Sequence, residues 1–365
     1  MRLIEIQIRS LTLNLRQNFK SNHENLRQRR LHILRLTTAT GQISYGELEA
    51  FDTPTYMAET QATAIWQLKH VILPRILNRD FTSPRDFNSY LADIVDNQLA
   101  KAAVEMPVWE LFAQLAQLPL ADYLAQSIGT KAQSKATFGV SLGINDQVQL
   151  IESINHHIAS GVQRFKIKLG SVADIAVLRT IRQIFPSIAL LVDGNGAFQK
   201  SDLPYLKQLD TLQLDMLEQP FTNQSFLDHQ WLQRQLQTPI CLDERIHDME
   251  DLRVMMILKS GQVLNLKPAR VGGFQVALAM LKFCQQHGLP CWVGGMVESD
   301  LGRRYVQEFA RLSGLEYPGD IGPVQQFYQQ GLLASTPEAE RSELTFHNQV
   351  GLGLQPSELL TQLFD

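Results

Sequence analysis

The sequence predicts an α/β protein in which a parallel β/α barrel follows a smaller α+β module. From about residue 135, short apolar runs alternate with helical stretches, and their starts lie roughly 25 residues apart, which is the length of one strand, one helix and two loops. A doubly wound open sheet is the alternative, but its first strand should lead into a glycine-rich phosphate turn, and none is present there. The seven runs are 137–142, 165–169, 188–193, 212–218, 239–243, 263–267 and 290–294.

Residues 1–125 have the pattern of a short antiparallel meander followed by helices. Residues 4–8 alternate apolar and polar side chains, and the phase of this alternation changes at Ser10, which predicts a β-bulge there. Two further apolar runs, 31–36 and 43–47, flank a turn sequence and predict a hairpin. We therefore expect a small α+β module in front of the barrel.

Two prolines should shape the helices of this module. Apolar residues at helical spacing over 58–76 predict one helix, which Pro74 should end or bend. The alanine-rich stretch 98–118 predicts a second, amphipathic helix, and Pro107 should kink it.

The composition is that of an ordinary globular protein without a nucleic-acid or membrane signature. Hydrophobic residues make up 44% and charged residues 19% of the 365 residues, and the net charge is −4. No basic surplus favours nucleic acid. The first residues lack the continuous apolar core of a signal peptide and no apolar stretch reaches about 18 residues, so we expect neither a signal peptide nor a transmembrane helix. Three cysteines without zinc-site spacing indicate reduced thiols, so we expect a cytoplasmic protein.

Charged residues occupy the ends of five predicted strands. In a parallel barrel the carboxyl ends of the strands surround one mouth, so these side chains should meet there. A strand places residues i and i+2 on one face, so the two lysines of the first charged strand should both point inward. The charged residues are Lys166 with Lys168, then Asp193, Glu218, Asp243 and Lys267.

The three acidic residues predict a divalent-metal site. Asp193, Glu218 and Asp243 follow consecutive strands at intervals of 25 residues. Three carboxylates in one mouth repel each other unless a cation neutralises them, and oxygen ligands alone favour Mg²⁺ or Mn²⁺ over zinc. A single strand-end carboxylate is more often a helix N-cap, and Asp243 with Glu244 fits that alternative. The order and spacing of the whole set favour the metal site.

The two lysine-bearing strands flank this acidic cluster and predict proton abstraction beside a carboxylate. A neighbouring ammonium and a metal should lower the pKa of Lys168, so that its neutral amine can act as a base. A metal on the carboxylate oxygens of a substrate would stabilise the charge that develops as the α-proton leaves. The predicted partner is therefore a small-molecule carboxylate.

The order of these motifs resembles the muconate-lactonizing subgroup of the enolase superfamily. The shared pattern is Lys-x-Lys, Asp-x-Asn, Glu-Gln-Pro, Asp-Glu and Lys-Pro-x-x-x-Gly-Gly. Finer motifs along nearly the whole chain resemble the branch of o-succinylbenzoate synthases and N-succinylamino acid racemases. These motifs lie at 46–51, 54–60, 100–111, 139–144, 265–273 and 294–303.

The resemblance implies a modified TIM barrel of the (β/α)₇β type at residues 126–329. It also implies a capping domain formed by residues 1–125 and completed by about residues 330–365. It leaves a monomer, a homodimer or an octamer open.

The resemblance further implies roles for the charged residues. The second lysine of the Lys-x-Lys motif, Lys168, is the base, while Lys166 tunes it and Lys267 acts from the opposite face. The metal ligands are Asp193, Glu218 and Asp243, with Asn195 behind them.

For the substrate, the resemblance implies contacts from two cap loops and from the barrel mouth, where backbone amides would hold a succinyl group. Phe19 and Tyr56 also fit core positions, and Gly294 with Gly295 also fits a plain strand-to-helix turn. Arg270 matches the arginine of racemase-capable members, and a salt bridge near the barrel rim is its alternative role. The implied contacts are Phe19 and Tyr56 from the cap, and Ser141, Gly294, Gly295 and Met296 from the barrel.

Two activities follow from the resemblance. The first is dehydration of 2-succinyl-6-hydroxy-2,4-cyclohexadiene-1-carboxylate to 2-succinylbenzoate, a step toward menaquinone. The second is racemisation of N-succinylamino acids, which needs both Lys168 and Lys267 as acid and base. A dipeptide epimerase or a cycloisomerase is a more distant alternative. The non-enzyme alternative, a barrel that only binds a ligand, is disfavoured by the intact set of opposed lysines and carboxylates.

Overall fold

The chain forms three sheets over the residues that the computed structural model describes, which are 1–20, 25–144, 146–221 and 225–365. The strands are β1 (Leu3–Lys20), β2 (Asn25–Thr38), β3 (Ile43–Leu48), β4 (Lys135–Thr137), β5 (Val140–Gly143), β6 (Arg164–Lys168), β7 (Ala189–Asp193), β8 (Leu217–Glu218), β9 (Ile240–Leu242), β10 (Val263–Leu266), β11 (Cys291–Val293), β12 (Glu338–Glu340) and β13 (Glu343–Thr345). Strands β1 to β3 pair antiparallel, and β5 to β11 form one parallel sheet in sequential order. The predicted α/β class and the seven parallel strands are confirmed.

Helices connect these strands, and both prolines lie inside helical segments. The helices are α1 (Gln61–Gln67), α2 (Leu73–Ile76), α3 (Pro84–Ser89), α4 (Gln98–Leu115), α5 (Leu120–Ile128), α6 (Gln147–Ala159), α7 (Asp174–Ile184), α8 (Leu203–Leu206), α9 (Phe226–Gln233), α10 (Met249–Leu258), α11 (Phe274–His287), α12 (Asp300–Phe309) and α13 (Glu358–Phe364). A π-helical turn, Leu68–Ile72, joins α1 to α2 without a break. Pro74 is the second residue of α2, so it lies inside a continuous helical segment that lacks its N–H. Helix α4 continues through Pro107, which cannot donate to the Ala103 carbonyl. Gly46 of β3 packs so closely on that carbonyl that a Cβ would lie 2.1 Å from its oxygen.

The predicted β-bulge at Ser10 is wrong. Ser10 pairs with His32 in an unbroken register, and the shifts in the β1–β2 ladder lie nearer its ends, between Leu3 and Glu5 and again beyond Asn14. The alternation changes phase because β1 is covered on different faces along its length. Its even-numbered isoleucines 6 and 8 are partly buried, whereas its odd-numbered leucines 13 and 15 are fully buried farther along.

Residues 316–320 close the barrel between β11 and β5. On one side, two amides of this segment donate to carbonyls of β11 at 2.9 Å. On the other side, the Gly319 amide donates to the Thr137 carbonyl and the Gly139 amide donates to the Gly319 carbonyl, both at 3.0 Å. The segment therefore occupies the eighth position around the barrel, as a (β/α)₇β architecture requires.

The C-terminal residues return to both parts of the molecule. Strands β12 and β13 form an antiparallel sheet with β4. Helix α13 packs on β1, and the centroid of the Phe364 ring lies 5.7 Å from that of Tyr45 and 5.2 Å from the Arg35 guanidinium. The contact of α13 joins the tail to residues 1–125, and completion of the capping domain by the tail stays a prediction.

The cysteines and the helices add two observations. All three cysteines, Cys241, Cys284 and Cys291, are buried free thiols. Within the described ranges, no helix combines the length and the apolar character needed to cross a bilayer.

Two glutamates of the N-terminal module accept hydrogen bonds from the first turns of barrel helices. Glu105 on α4 accepts from the amides of Phe274 and Gln275 at 2.7 and 2.8 Å, at the start of α11. Glu47 on β3 accepts from the Ser299 amide at 2.9 Å, where α12 begins. Burial raises the pKa of Glu105 to about 6 and that of Glu47 to about 7, although these hydrogen bonds act in the opposite direction. The N-terminal module thus supplies hydrogen-bond acceptors to backbone N–H groups at the buried first turns of α11 and α12.

A third buried glutamate, Glu59, caps α4 itself. Its carboxylate oxygens accept from the amides of Leu99 and Ala100, both at 2.8 Å. Asn97, which precedes the helix, has a left-handed backbone and provides no side-chain cap, so Glu59 supplies the cap from elsewhere in the chain. Burial raises the pKa of Glu59 to about 7, and its two backbone hydrogen bonds offset only part of this effect.

The stability of the protein should therefore depend on pH through Glu59. The folded state keeps this carboxyl protonated up to about pH 7, whereas the unfolded chain releases the proton near the ordinary pKa of 4.5. Its contribution is fully present below pH 4.5 and is lost as the pH rises through about 7, by up to about 3 kcal/mol. Between pH 5 and pH 8, the free energy of unfolding measured in urea should fall less for Glu59→Gln than for the wild type.

A matched control removes a carboxylate from the exposed surface of α6. The variant Glu152→Gln should keep the wild-type dependence of unfolding free energy on pH, because Glu152 is solvated in both states. Equal pH slopes for Glu59→Gln and the wild type would contradict the assignment.

Candidate active site

The charged strand ends converge on one cavity of about 610 Å³ at the carboxyl ends of the parallel strands. Lys168 and Asp193 end β6 and β7, whereas Asp243 and Lys267 directly follow β9 and β10. These four side chains line the cavity, as does Lys166. Glu218, at the end of β8, is fully buried beneath the cavity and contacts it through Lys166. The structure thus brings the six predicted residues together.

A ring of polar side chains crosses the barrel just below this mouth. The Lys166 ammonium lies 2.7 Å from Glu218 Oε2, 2.9 Å from Asp193 Oδ2 and 3.4 Å from Asp320 Oδ2. The Asn265 amide donates to Glu218 Oε1 at 2.8 Å. Burial by itself lowers the pKa of Lys166, but the surrounding carboxylates outweigh it and raise the pKa well above its ordinary value. Lys166 is therefore an ammonium at any working pH.

Lys168 faces the cavity with two partners. Its ammonium lies 3.2 Å from Asp193 Oδ2 and donates to Asn195 Oδ1 at 2.8 Å. The Asn195 amide group donates in turn to Glu244 Oε1 at 3.0 Å, and its backbone N–H donates to Asp193 Oδ1 at 2.9 Å. Burial raises the pKa of Asp193, but Lys166 and Lys168 hold it well below its ordinary range. Asn195 thus orients both the lysine and the aspartate.

Lys267 approaches the cavity from the β10 side. Its ammonium lies 2.8 Å from Asp243 Oδ2 and donates to the Tyr56 hydroxyl at 2.9 Å. Burial lowers the pKa of Lys267, while Tyr56 and nearby carboxylates raise it above its ordinary value. Gly294 leaves room for this side chain, because a Cβ there would lie 2.7 Å from the Lys267 Cε. The two lysines therefore reach one cavity from separate strands.

Arg270 is fully buried and holds Asp243 from behind. Its guanidinium pairs with Asp243 Oδ1, and it also donates to the carbonyls of Ile246 at 2.9 Å and of Asn265 at 2.5 Å. The salt bridge that the sequence offered as an alternative role for Arg270 is therefore present. This pair fixes the orientation of the Asp243 carboxylate.

Each of the three acidic residues faces a cation of the protein. Asp193 and Glu218 face lysines, and Asp243 faces both Lys267 and Arg270. In this arrangement, no three His, Cys, Asp or Glu side chains among the described residues form a group that could hold a metal ion. The donor chemistry still fits a hard dication, because the carboxylates end adjacent strands and supply only oxygen.

Some of the residues expected to contact a substrate line the cavity, and others do not. Tyr56, Ser141, Gly295 and Met296 line the cavity, and the Ser141 Oγ is buried without a hydrogen-bond partner. The amide of Gly294 already donates to the Leu266 carbonyl at 3.2 Å, and that of Met296 donates to Glu298. The side chain of Phe19 lies outside the described residues. Substrate roles for these positions stay predictions.

Two residues of the site were missed in the sequence. Asn265 stands two positions before Lys267 on the same strand face, so the two-residue period of a strand could have indicated it. Asp320 lies on the segment that closes the barrel, where five residues without an apolar run give no periodic signal. Only the folded chain brings Asp320 to Lys166.

Two family models match the chain. The model described as mandelate racemase / muconate lactonizing enzyme, N-terminal domain, matches residues 3–125. The model described as enolase C-terminal domain-like matches residues 149–360. Together they span most of the sequence.

Individual proteins are similar over nearly the same span. An o-succinylbenzoate synthase of Listeria innocua is 35% identical, with 92% of this chain and 89% of the relative covered. An N-succinylamino acid racemase of Thermus thermophilus is 35% identical, with 97% and 95% covered. A crystal structure of an enolase superfamily member from Listeria innocua superposes with a TM-score of 0.94 at 33% identity, covering 99% of this chain and 97% of that one.

Proposed function

Because the chain belongs to the mandelate racemase / muconate lactonizing enzyme family of the enolase superfamily, we propose that it is an o-succinylbenzoate synthase. The reaction is the dehydration of 2-succinyl-6-hydroxy-2,4-cyclohexadiene-1-carboxylate to 2-succinylbenzoate, a step toward menaquinone. The observation that carries the proposal is the pair Lys168 and Lys267, which face one cavity beside Asp193 and Asp243. Several relatives at 31–35% identity named as synthases support the choice of reaction.

Lys168 is the proposed base. Its neutral amine takes the proton from the carbon beside the substrate carboxylate, and the electrons of that C–H bond form the new ring double bond. The C–O bond to the ring hydroxyl breaks, and Lys168 returns its proton to the departing oxygen, so that one water leaves. Asn195 and Asp193, which contact the Lys168 nitrogen, aim it at the cavity. The product ring is aromatic, which lowers the free energy of this step.

Lys267 is the proposed electrostatic partner. Its pKa is raised, so it is an ammonium that can face the negative charge developing on the substrate carboxylate. The Lys267 ammonium contacts Asp243 and the Tyr56 hydroxyl. Arg270 in turn holds Asp243. A fixed positive charge beside the substrate carboxylate would stabilise the transition state without reorganisation of solvent.

Asp193, Glu218 and Asp243 would hold Mg²⁺ or Mn²⁺. When bound, the dication supplies charge neutralisation at the substrate carboxylate. Asn265 on Glu218 and Arg270 on Asp243 keep these carboxylates oriented.

Replacing Lys168 by Ala should abolish turnover of the cyclohexadiene carboxylate. A general base contributes about 10²- to 10⁴-fold, so kcat should fall by at least that factor while thermal unfolding shows an intact fold. Lys131→Ala, which removes an exposed lysine after α5, is the matched control and should keep wild-type kcat. A Lys168→Ala enzyme with wild-type kcat would exclude Lys168 as the base.

Removal of divalent metal should abolish activity reversibly. Dialysis against EDTA should leave a folded, inactive protein, and Mg²⁺ or Mn²⁺ should restore turnover, because both ions accept oxygen ligands. Asp243→Asn should weaken Mn²⁺ binding measured by electron paramagnetic resonance. Full turnover in metal-free buffer would contradict the metal assignment.

Racemisation of N-succinylamino acids is the second candidate activity. The Thermus thermophilus relative is named as such a racemase at the same identity as the Listeria innocua synthase. The reaction needs one acid/base on each side of the substrate carbon, and Lys168 and Lys267 line the cavity from β6 and from the end of β10. The same residues therefore serve either reaction.

Solvent deuterium exchange tests this second activity. In D₂O, the wild-type protein should exchange the α-proton of both enantiomers of N-succinylphenylalanine, because each lysine exchanges its protons with solvent. Lys168→Ala and Lys267→Ala should each lose exchange from one enantiomer only, and Lys131→Ala should retain both. Absence of exchange from both enantiomers in an enzyme that is active as a synthase would exclude the racemase.

A further inference from the structure

Asp320 contacts two cations inside the barrel but has no part in the chemistry proposed above. Its backbone amide donates to the Val293 carbonyl at 2.9 Å, which fixes the residue against β11. Its Oδ1 pairs with Arg164, and its Oδ2 lies 3.4 Å from the Lys166 ammonium. The side chain also borders the cavity and is 19% exposed. Asp320 thus links the segment that closes the barrel to the lysine beneath the active site.

Arg164 holds Asp320 from a fixed position. Its side chain is buried at the start of β6, and its guanidinium lies 4.5 Å from the centroid of the Trp292 ring. The Lys166 ammonium lies 5.2 Å from the same ring, so both cations rest on one aromatic platform. Gly139 leaves the space that Arg164 fills, since a Cβ there would lie 2.2 Å from the Arg164 Cδ. The Arg164 side chain is therefore packed in a fixed position, and this fixes the Asp320 carboxylate that pairs with it.

The contact between Asp320 and Lys166 affects the carboxylates that are assigned to the dication. Asp193 and Glu218 lie within 2.9 Å of the ammonium, and these are two of the carboxylates assigned to the dication. An ammonium held only by these two would compete with the dication for their oxygens. The carboxylate of Asp320 attracts Lys166 from another direction and adds one negative charge to its surroundings. Cation affinity should therefore be higher with Asp320 present than without it.

We propose that Asp320, backed by Arg164, is a positioning residue that holds Lys166 and so leaves Asp193 and Glu218 available to the divalent cation. This inference rests on the proposed metal-assisted function. Asp320 acts through Lys166 and not on the substrate, so its loss should lower metal affinity and kcat while changing KM little.

The test compares Asp320→Asn with the wild-type protein. Asn keeps the size of the side chain and removes its charge. In the absence of substrate, electron paramagnetic resonance of free Mn²⁺ should give a Kd about 10- to 100-fold higher for the variant, the range found for residues that support metal ligands. At saturating Mn²⁺, kcat should still fall, because Lys166 is no longer held in place and it shares Asp193 with the base Lys168. KM for the cyclohexadiene carboxylate should change less than threefold. Asp320→Glu, which restores a carboxylate, should recover most of both losses.

Two controls separate the explanations. Glu316→Gln removes a carboxylate from the exposed part of the same segment and should keep wild-type Kd and kcat. Asp320→Ser is a second neutral variant whose small side chain leaves room for water at the cavity wall, and it replaces Asp320→Asn if that variant fails to fold. A folded neutral variant with wild-type Mn²⁺ affinity and kcat overturns the proposal. A wild-type protein that binds no Mn²⁺ overturns the metal assignment itself, which is a different result.

Discussion

The Lys166 ammonium lies inside the barrel among three carboxylates, and this buried charge constrains the sequence around it. Removing an ion from water costs several kcal/mol unless partners replace its hydration. Glu218, Asp193 and Asp320 supply those partners from three different parts of the barrel wall. Asn265 then satisfies one oxygen of Glu218. A layer that is apolar in many barrels here contains a network of charged and polar side chains.

The sequence predicted the barrel and its charged mouth because both depend on local order along the chain. Each β/α unit repeats at a similar length, and a charged residue directly after an apolar run needs no tertiary information to be noticed. Asp320 was missed because its role depends on a neighbour more than 150 positions earlier in the chain. The bulge predicted at Ser10 failed for a related reason, since alternation reports which faces are covered and not only where the backbone adds a residue. Likewise, no local pattern shows that Glu105 caps α11.

Arg270 is fully buried and does not line the cavity, so it acts on the site through its neighbours. It pairs with Asp243 and donates to two carbonyls, so it sets the relative position of the ends of β9 and β10. Those ends carry Asp243 and Lys267. A small change in this buried contact would shift the second lysine relative to the first, which matters more for a reaction that alternates between two faces of a carbon than for one that uses a single base.

The glutamates that cap barrel helices from the N-terminal module limit how the molecule can admit a substrate. Moving that module away from the barrel would break the hydrogen bonds of the Phe274, Gln275 and Ser299 amides at once. Entry and exit should instead involve side chains at the rim, such as Tyr56, whose hydroxyl contacts Lys267, Arg270 and Asp243. A substrate would then enter through side-chain movements at the cavity rim, while the N-terminal module stays on the barrel.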